Sequence, residues 1–515
     1  MLSSGFPWLT TAGLIPLVGA LVLWLLPASA RRLARPLALG VSLLTLLVVV
    51  AMALTFDVAA AGTHQFTETY PWIPQLGVSY ALGIDGIGLT MIALAAVLTP
   101  VVVLAGWHDA GTDPARTRTF FALLLLVETM MIGVFAARDV FLFYVLFEAM
   151  LIPVYFLIGM FGGPQRRYAA VKFLLYSLLG GLLMLVAVIA LYLSGPRGPE
   201  GFLVENLVGL DHGETAGRLM FLGFFIAFAI KAPMWPVHTW LPDAAGQAPP
   251  GTSVLLVGVL DKVGTFGMLT LLLPLFPQES RWAAPAIAVL AVISILYGAL
   301  VAIGQTDMMR LIAYTSVSHF GFIVLGIFAM TSTAQNGAAL YMVNHGFTTA
   351  ALFLIMGMLV ARRGTARIAD YGGVQRVAPV IAGTFLVAGL SSLALPGLSS
   401  FVSEFLVLAG TYARWQWAAV VAALGVILAA VYILLPYQRM FTGPATEPVK
   451  ALPDMRAREA WVVAPLLAII VALGVYPKPV LDVLDPAVQR TMQEVGVTDP
   501  EPTVPGAATA GRDDQ

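Results

Sequence analysis

The chain contains no cysteine, which excludes disulfides and thiolate-ligated iron–sulfur clusters. Any redox chemistry linked to it must take place elsewhere, or on a cofactor held without thiolates. Charge is scarce too. Only 11% of the 515 residues are Asp, Glu, Lys or Arg, against about 25% in ordinary soluble domains. The formal net charge of −1 leaves no basic footprint for a nucleic acid. What the chain has in abundance is apolar surface. Its residues are 59% hydrophobic, its mean hydropathy is +0.90, and apolar runs of about 20 residues recur, the mark of a polytopic helical membrane protein.

An all-α fold of about fourteen transmembrane spans is expected between residues 9 and 477. The first span lacks a small-residue cleavage site followed by a soluble domain, so it reads as a retained helix and not a signal peptide. An even number of spans puts both termini on one side. Seventeen basic residues, among them Arg31, Arg32, Arg35, Arg116, Arg166, Arg310, Arg362 and Arg458, fall in or beside the odd-numbered loops, against eight on the other side. The positive-inside rule then places both termini outside. The sequence divides into an N-terminal section 1–110 (spans 1–3), units 111–277 (spans 4–8) and 278–441 (spans 9–13), a loop with the last span at 442–485, and a Pro/Gly/Ala-rich tail 486–515 expected to be disordered.

Two spans are not clean helices. The run AIKAPMWPVHTWLPDAAGQAPPG carries Pro233, Pro236, Pro242, Pro249 and Pro250, and SSLALPGLSSFVSEFLVLAG has Pro396–Gly397 in mid-span. Proline removes a backbone donor and clashes with the preceding turn. Such a break survives at membrane depth only where protein or a water-filled cavity satisfies the freed carbonyls. Interrupted segments five spans apart are the sign of two inverted five-helix repeats, spans 4–8 and 9–13, with an ion path at their interface. Four ionisable residues accompany these features: Glu148, Lys231, Lys262 and Glu404, each in an otherwise apolar stretch. A charge at bilayer depth costs at least about 2.5–3.5 kcal/mol and is retained where it handles ions or protons. Lys231 falls at the first break and Glu404 just after the second. Glu128 and Asp261 are also at bilayer depth, without an assigned role, whereas Asp85 and Asp139 lie near span ends and read as structural.

The motifs KAPMWPVHTWLPDA, GQTDMMRLIAYTSVSHFGFIVLG, NHGFTTAALFLIMG and FVSEFLVLAG closely resemble the antiporter-like membrane subunits of respiratory NADH–quinone oxidoreductase (complex I), over nearly the whole chain. Of the three sister types, L, M and N, the resemblance is to M: Glu404 stands where L and N types usually carry lysine, and nothing after residue 477 matches the long C-terminal amphipathic helix of the L type. The resemblance implies a proton relay in which Glu148 and Lys231 form a buried pair, Lys262 is the central carrier, His319 and His345 bridge to Glu404 at the exit, and His238 falls in the broken-helix motif. One departure stands out: Ala245 occupies a position where the family commonly has histidine, which puts a proton-entry role for that loop in doubt. A lysine withdrawn from water holds its proton less tightly and a nearby carboxylate restores the affinity, so moving a carboxylate can switch a lysine. Histidine titrates near neutrality and suits a relay.

The resemblance further implies a subunit of a translocase in the bacterial cell membrane, with L-like and N-like sister subunits on either side. It implies no cofactor on this chain; NADH, FMN, iron–sulfur clusters and quinone would belong to other subunits. Two other readings stand beside this one. A subunit of an Mrp-type cation/proton antiporter or membrane-bound hydrogenase would use the same fold and lysines, although Glu404 argues against the antiporter. A purely structural membrane scaffold would not need buried charges. Neighbouring genes would separate the first two.

Overall fold

The computed structural model describes residues 5–501. Two helices open the chain, α1 (Trp8–Leu25) and α2 (Ala34–Thr55), followed by an antiparallel hairpin of β1 (Gln65–Ile73) and β2 (Val78–Ile84). The N-terminal section closes with α3 (Gly86–Ala105), and the first unit contains α4 (Pro114–Ala136), α5 (Val140–Ala149), α6 (Leu151–Phe161), α7 (Arg166–Ser194), the short α8 (Val204–Leu207), α9 (Glu214–Lys231) and α10 (Trp240–Gln247). The next crossing is built of α11 (Pro250–Leu255), α12 (Lys262–Gly267) and α13 (Leu273–Leu275), joined by wider π-helical turns at Leu256–Leu260 and Met268–Leu272. Then come α14 (Pro277–Ile303), α15 (Met308–Phe328), α16 (Ser332–Arg363), α17 (Pro379–Ser392), α18 (Ser399–Arg414), α19 (Gln416–Phe441), α20 (Ala457–Val475) and α21 (Lys478–Val495).

Among the described residues twelve helical stretches are long and apolar enough to cross a membrane, or thirteen if one bent pair at 368–392 counts as a span. The two further crossings expected from the sequence are the broken ones, α9 with α10 and α17 with α18: α9 carries Glu214, Arg218 and Lys231, and the other three pieces are of 8, 14 and 16 residues. Several helix starts are set by carboxylates. Asp85, Asp139 and Asp307 each accept backbone N–H groups of the first turn of α3, α5 and α15, at 2.9–3.0 Å, satisfying donors that have no intrahelical partner. Asp139 also accepts Ser79 N–H at 2.8 Å, tying the hairpin to the first unit. Asp85 and Asp139 are thus the structural groups their positions suggested.

The polar centre of the molecule is enclosed. The 250–275 crossing, α15 and α16 are buried on nearly every side, whereas α1, α2, α7, α19 and α20 present apolar faces outward. At one end of α16, Arg362 makes a two-pronged ion pair with Glu459 of α20, at 2.8 and 2.6 Å, and also bonds the carbonyls of Met358, Pro453 and Asp454. Removing one partner of such a pair strands a buried charge. Arg362→Ala is therefore expected to destabilise the fold by about 3–5 kcal/mol, read as lost membrane assembly on native gels. An Arg362→Met, Glu459→Gln double variant should assemble better than either single one; equal yields across all three would count against the pair.

Three features differ from the sequence reading. No apolar run announces the hairpin at 65–84, and β2 occupies residues that hydropathy gives to the start of span 3. The tail from residue 486 was expected to be disordered, yet 486–495 continue α21. Its face of Leu484, Ala487, Val488, Thr491, Met492 and Val495 is buried against α3, α13, α14 and α16. Burial of that one face holds the helix despite Pro486. It is an amphipathic helix after residue 477, though of only 18 residues. Residues 502–515 of the expected tail lie outside the described residues.

Candidate functional site

Each break is closed by side chains, as membrane-depth backbone requires. At the first, residues 232–239 separate α9 from α10, and the Trp240 indole N–H donates to the Ile230 carbonyl at 2.9 Å. At the second, residues 393–398 separate α17 from α18, and Asn344 of α16 donates to the Ser399 carbonyl at 2.7 Å and lies 3.2 Å from Ser403 Oγ. Lys231 is the last residue of α9, and Glu404 sits in the second turn of α18. Each broken helix therefore delivers a charge beside its break.

Lys262 begins α12 immediately after a π-helical turn. Its Nζ turns back along the helix to donate to the Val257 carbonyl at 2.6 Å and lies 2.6 Å from His345 Nδ1 on α16, with the Phe320 ring centroid 5.0 Å away. The helices come this close because Gly346 faces Gly258: a Cβ on Gly346 would stand 2.9 Å from the Gly258 carbonyl oxygen. The π-helical turn displaces the carbonyl that a regular helix would have occupied, leaving Val257 O for the ammonium. When Lys262 is an ammonium it only donates, so His345 Nδ1 then accepts and its Nε2 carries the hydrogen. That hydrogen goes to Ser316 Oγ at 3.1 Å, and Ser316 in turn donates to the Ile312 carbonyl.

From His345 the polar groups continue. The His345 and His319 rings lie 5.3 Å apart, edge to face. His319 Nε2 is 2.9 Å from Tyr432 OH, and the Tyr341 ring is 5.8 Å from that of His319. Tyr341 OH donates to Glu404 Oε2 at 2.8 Å. The order is Lys262, His345, His319, the Tyr341/Tyr432 pair, Glu404. All are buried, and imidazole and hydroxyl groups can each accept a proton on one side while giving one up on the other. The structure thus brings together four of the expected residues, Lys262, His345, His319 and Glu404. The sequence reading missed Tyr341 and Tyr432, whose one signal was a phenol in an apolar helix.

The other expected residues are arranged differently. Glu148 and Lys231 do not form a contact pair: their charged atoms make no ion pair within hydrogen-bonding reach, and neither Lys231 Nζ nor Glu148 Oε1 has a hydrogen-bond partner among the described residues. Lys231 Nζ instead lies over the Phe147 ring, 4.8 Å from its centroid, and 5.9 Å from that of Phe173. Phe147, and not Glu148, is the α5 side chain against Lys231, because neighbouring helix residues point in different directions. Glu148 is half-buried and rests on α7 at Gly181, where a Cβ would strike its carboxylate. His238 is buried beside Tyr297 and Tyr314, with ring centroids 5.0 and 6.2 Å away, and touches none of the Lys262–Glu404 series. Near it Lys172 and Arg310 both bind Asp243 of α10. Ala245 is buried, and its carbonyl accepts Ser253 Oγ at 2.8 Å. Among the described residues no cluster of three or more metal-ligating side chains occurs.

Residues 137–430 match the family described as NADH:quinone oxidoreductase/Mrp antiporter, TM. NADH-quinone oxidoreductase subunit M of Mycobacterium tuberculosis is 51% identical over 97% of this chain and 96% of its own length. Subunit M of Rhodobacter capsulatus is 40% identical, covering 93% and 95% respectively. Among solved structures, a chain of respiratory complex I from Thermus thermophilus with bound NADH is similar with a TM-score of 0.86 at 33% identity, over 95% of this chain and all (100%) of that one. A chain of the Mrp complex from Dietzia sp. has a TM-score of 0.84 at 23% identity, over 95% and 98% of the two chains, a likeness of fold alone.

Proposed function

We propose that this chain, which belongs to the family of NADH-quinone oxidoreductase subunit M, moves protons across the membrane through its buried charged and polar side chains, driven by quinone reduction elsewhere in the complex. The chain is a multi-pass membrane protein of a multi-subunit assembly. The observation that carries the proposal is the succession Lys262, His345, His319, Tyr341, Glu404, with Tyr432 bonded to His319: hydrogen bonds join its two ends, Lys262 to His345 and Tyr341 to Glu404, and ring contacts join His345 to His319 and His319 to Tyr341. Lys262 holds the proton, His345 Nδ1 receives it, and Glu404 releases it on the exit side. Glu148 and Lys231 form the input switch. A shift of Glu148 toward or away from Lys231 changes the charge that Lys262 meets.

In this reading units 111–277 and 278–441 are inverted halves that meet at the Lys262–His345 contact, and both termini face outward. L-like and N-like subunits lie on either side of the chain. NADH, FMN, iron–sulfur clusters and quinone are handled by other subunits, and this chain makes and breaks no bond other than those to protons.

The experiment is NADH-driven proton uptake by vesicles containing the assembled complex with Tyr432→Phe. The substitution keeps the ring and deletes the hydroxyl bonded to His319. Uptake is expected to fall about fivefold, the rate equivalent of roughly 1 kcal/mol for one hydrogen bond, while native-gel assembly is unchanged. Undiminished uptake would place the path elsewhere.

A further inference from the structure

Asp261 is the only acidic side chain in the crossing 250–275, and the proton path above leaves it unused. None of its surface is exposed (0%), and neither carboxylate oxygen has a hydrogen-bond partner among the described residues. A buried carboxylate without bonds is costly unless charges of opposite sign compensate it. The backbone shows where those charges are. A Cβ on Gly264 would come within 2.5 Å of the Phe228 carbonyl oxygen, 2.7 Å of Ala232 N and 2.9 Å of Ala232 Cβ, and one on Gly267 would strike the Phe228 ring. Residues 261 and 264 are three apart and share a helix face. That face lies against the end of α9, and Lys231 is in that end, between Phe228 and Ala232.

Two lysines therefore flank Asp261: Lys262, next to it in the chain, and Lys231, in the end of α9 against which the 261/264 face packs. Neither is bonded to it. Lys262 Nζ is turned away toward Val257 and His345, and Lys231 Nζ rests over Phe147. The arrangement sets one unbonded carboxyl group beside two lysines, where α9 packs on the crossing that starts the Lys262–Glu404 series.

We infer that Asp261 is the positioning carboxylate that couples the charge states of Lys231 and Lys262, passing the switch at Glu148 and Lys231 on to the proton path. One carboxylate closes on one ammonium at a time. When Lys231 is protonated, Asp261 is drawn toward it and away from Lys262. Lys262, less well compensated, then gives its proton to His345: one N–H bond breaks at Lys262 Nζ, one forms at His345 Nδ1, and the positive charge moves with it. When Lys231 becomes neutral, Asp261 returns to Lys262 and favours its reprotonation. The role rests on the relay proposed above.

The test uses the assembled complex in vesicles and measures protons taken up per NADH oxidised. Asp261→Asn is expected to lower uptake about tenfold, within the range of ordinary coupling between sites, with assembly on native gels unchanged. Asp261→Glu keeps the charge and is expected to restore most of it. The double variant Asp261→Asn, Lys231→Ala should lose no more than Lys231→Ala alone, because the two groups act as one link. Losses that add in the double variant, or an asparagine variant that fails to assemble, would mark a merely structural role and overturn the coupling. Normal uptake by Asp261→Asn beside an inactive Lys262→Ala would sink this inference alone, whereas normal uptake by both would remove the relay beneath it.

Discussion

Vesicles carrying Lys262→Ala should show NADH-driven proton uptake reduced by about a hundredfold or more, the scale lost with a positioned proton donor. Lys262 is the group from which the buried series starts, and its Nζ is bonded to the acceptor His345 Nδ1 at 2.6 Å. Alanine deletes both the charge and the donor, so His345 has nothing to receive. Lys262→Arg distinguishes charge from titration. A guanidinium keeps the cation but stays protonated, so the arginine variant should assemble and still fail to take up protons. The assembled complex should still oxidise NADH with an artificial electron acceptor, since no redox group is assigned to this chain. Uptake near the wild-type level in either variant would remove Lys262 from the path.

Glu404→Gln should assemble normally and pump poorly. The amide is nearly isosteric and still accepts the Tyr341 hydroxyl that the carboxylate accepts at 2.8 Å, so the packing of α16 against α18 persists. What is lost is a group that binds and releases a proton. Moving one charge against the membrane potential costs about 2.3 kcal/mol per 100 mV, so the proton affinity of the exit group must swing by an amount of that order in each cycle, which an amide cannot do. Glu404→Lys keeps a titratable group in place and is expected to retain part of the activity, whereas Glu404→Ala should lose it and loosen the Tyr341 contact. The four proteins would be compared by proton uptake and by native gel. Full pumping by the glutamine variant would make Glu404 a packing residue.

Several of these residues are legible in the amino-acid sequence. An ionisable side chain within twenty apolar residues is conspicuous because hydration is a local property of the chain, so Glu148, Lys231, Lys262 and Glu404 stand out on reading along it. Proline has a local effect as well, and the breaks after Lys231 and before Glu404 lie where Pro233 and Pro396 required. α21 is not legible in this way. Its buried residues recur at helical spacing among exposed charged ones, which leaves no apolar run, and Pro486 resembles a terminator. The hairpin likewise depends on pairing across a turn, not on an apolar window.

The amino-acid sequence by itself determined that this chain spans a membrane many times, that two spans are broken, and which buried charges it must compensate. Only the tertiary structure decided which of them meet. Lys262 and His345 are 83 positions apart, His319 and Tyr432 are 113 apart, and no spacing rule operates over such distances. Their contact depends on how closely two helices pack, as at Gly346 and Gly258, and on the π-helical turn that frees Val257 O. The same packing put Lys231 against the Phe147 ring and Glu148 against Gly181, where the family resemblance had implied a buried Glu148–Lys231 pair. It also set Asp261 against α9, a placement that depends on the close approach of Gly264 to Ala232 and not on the order of residues in its own helix.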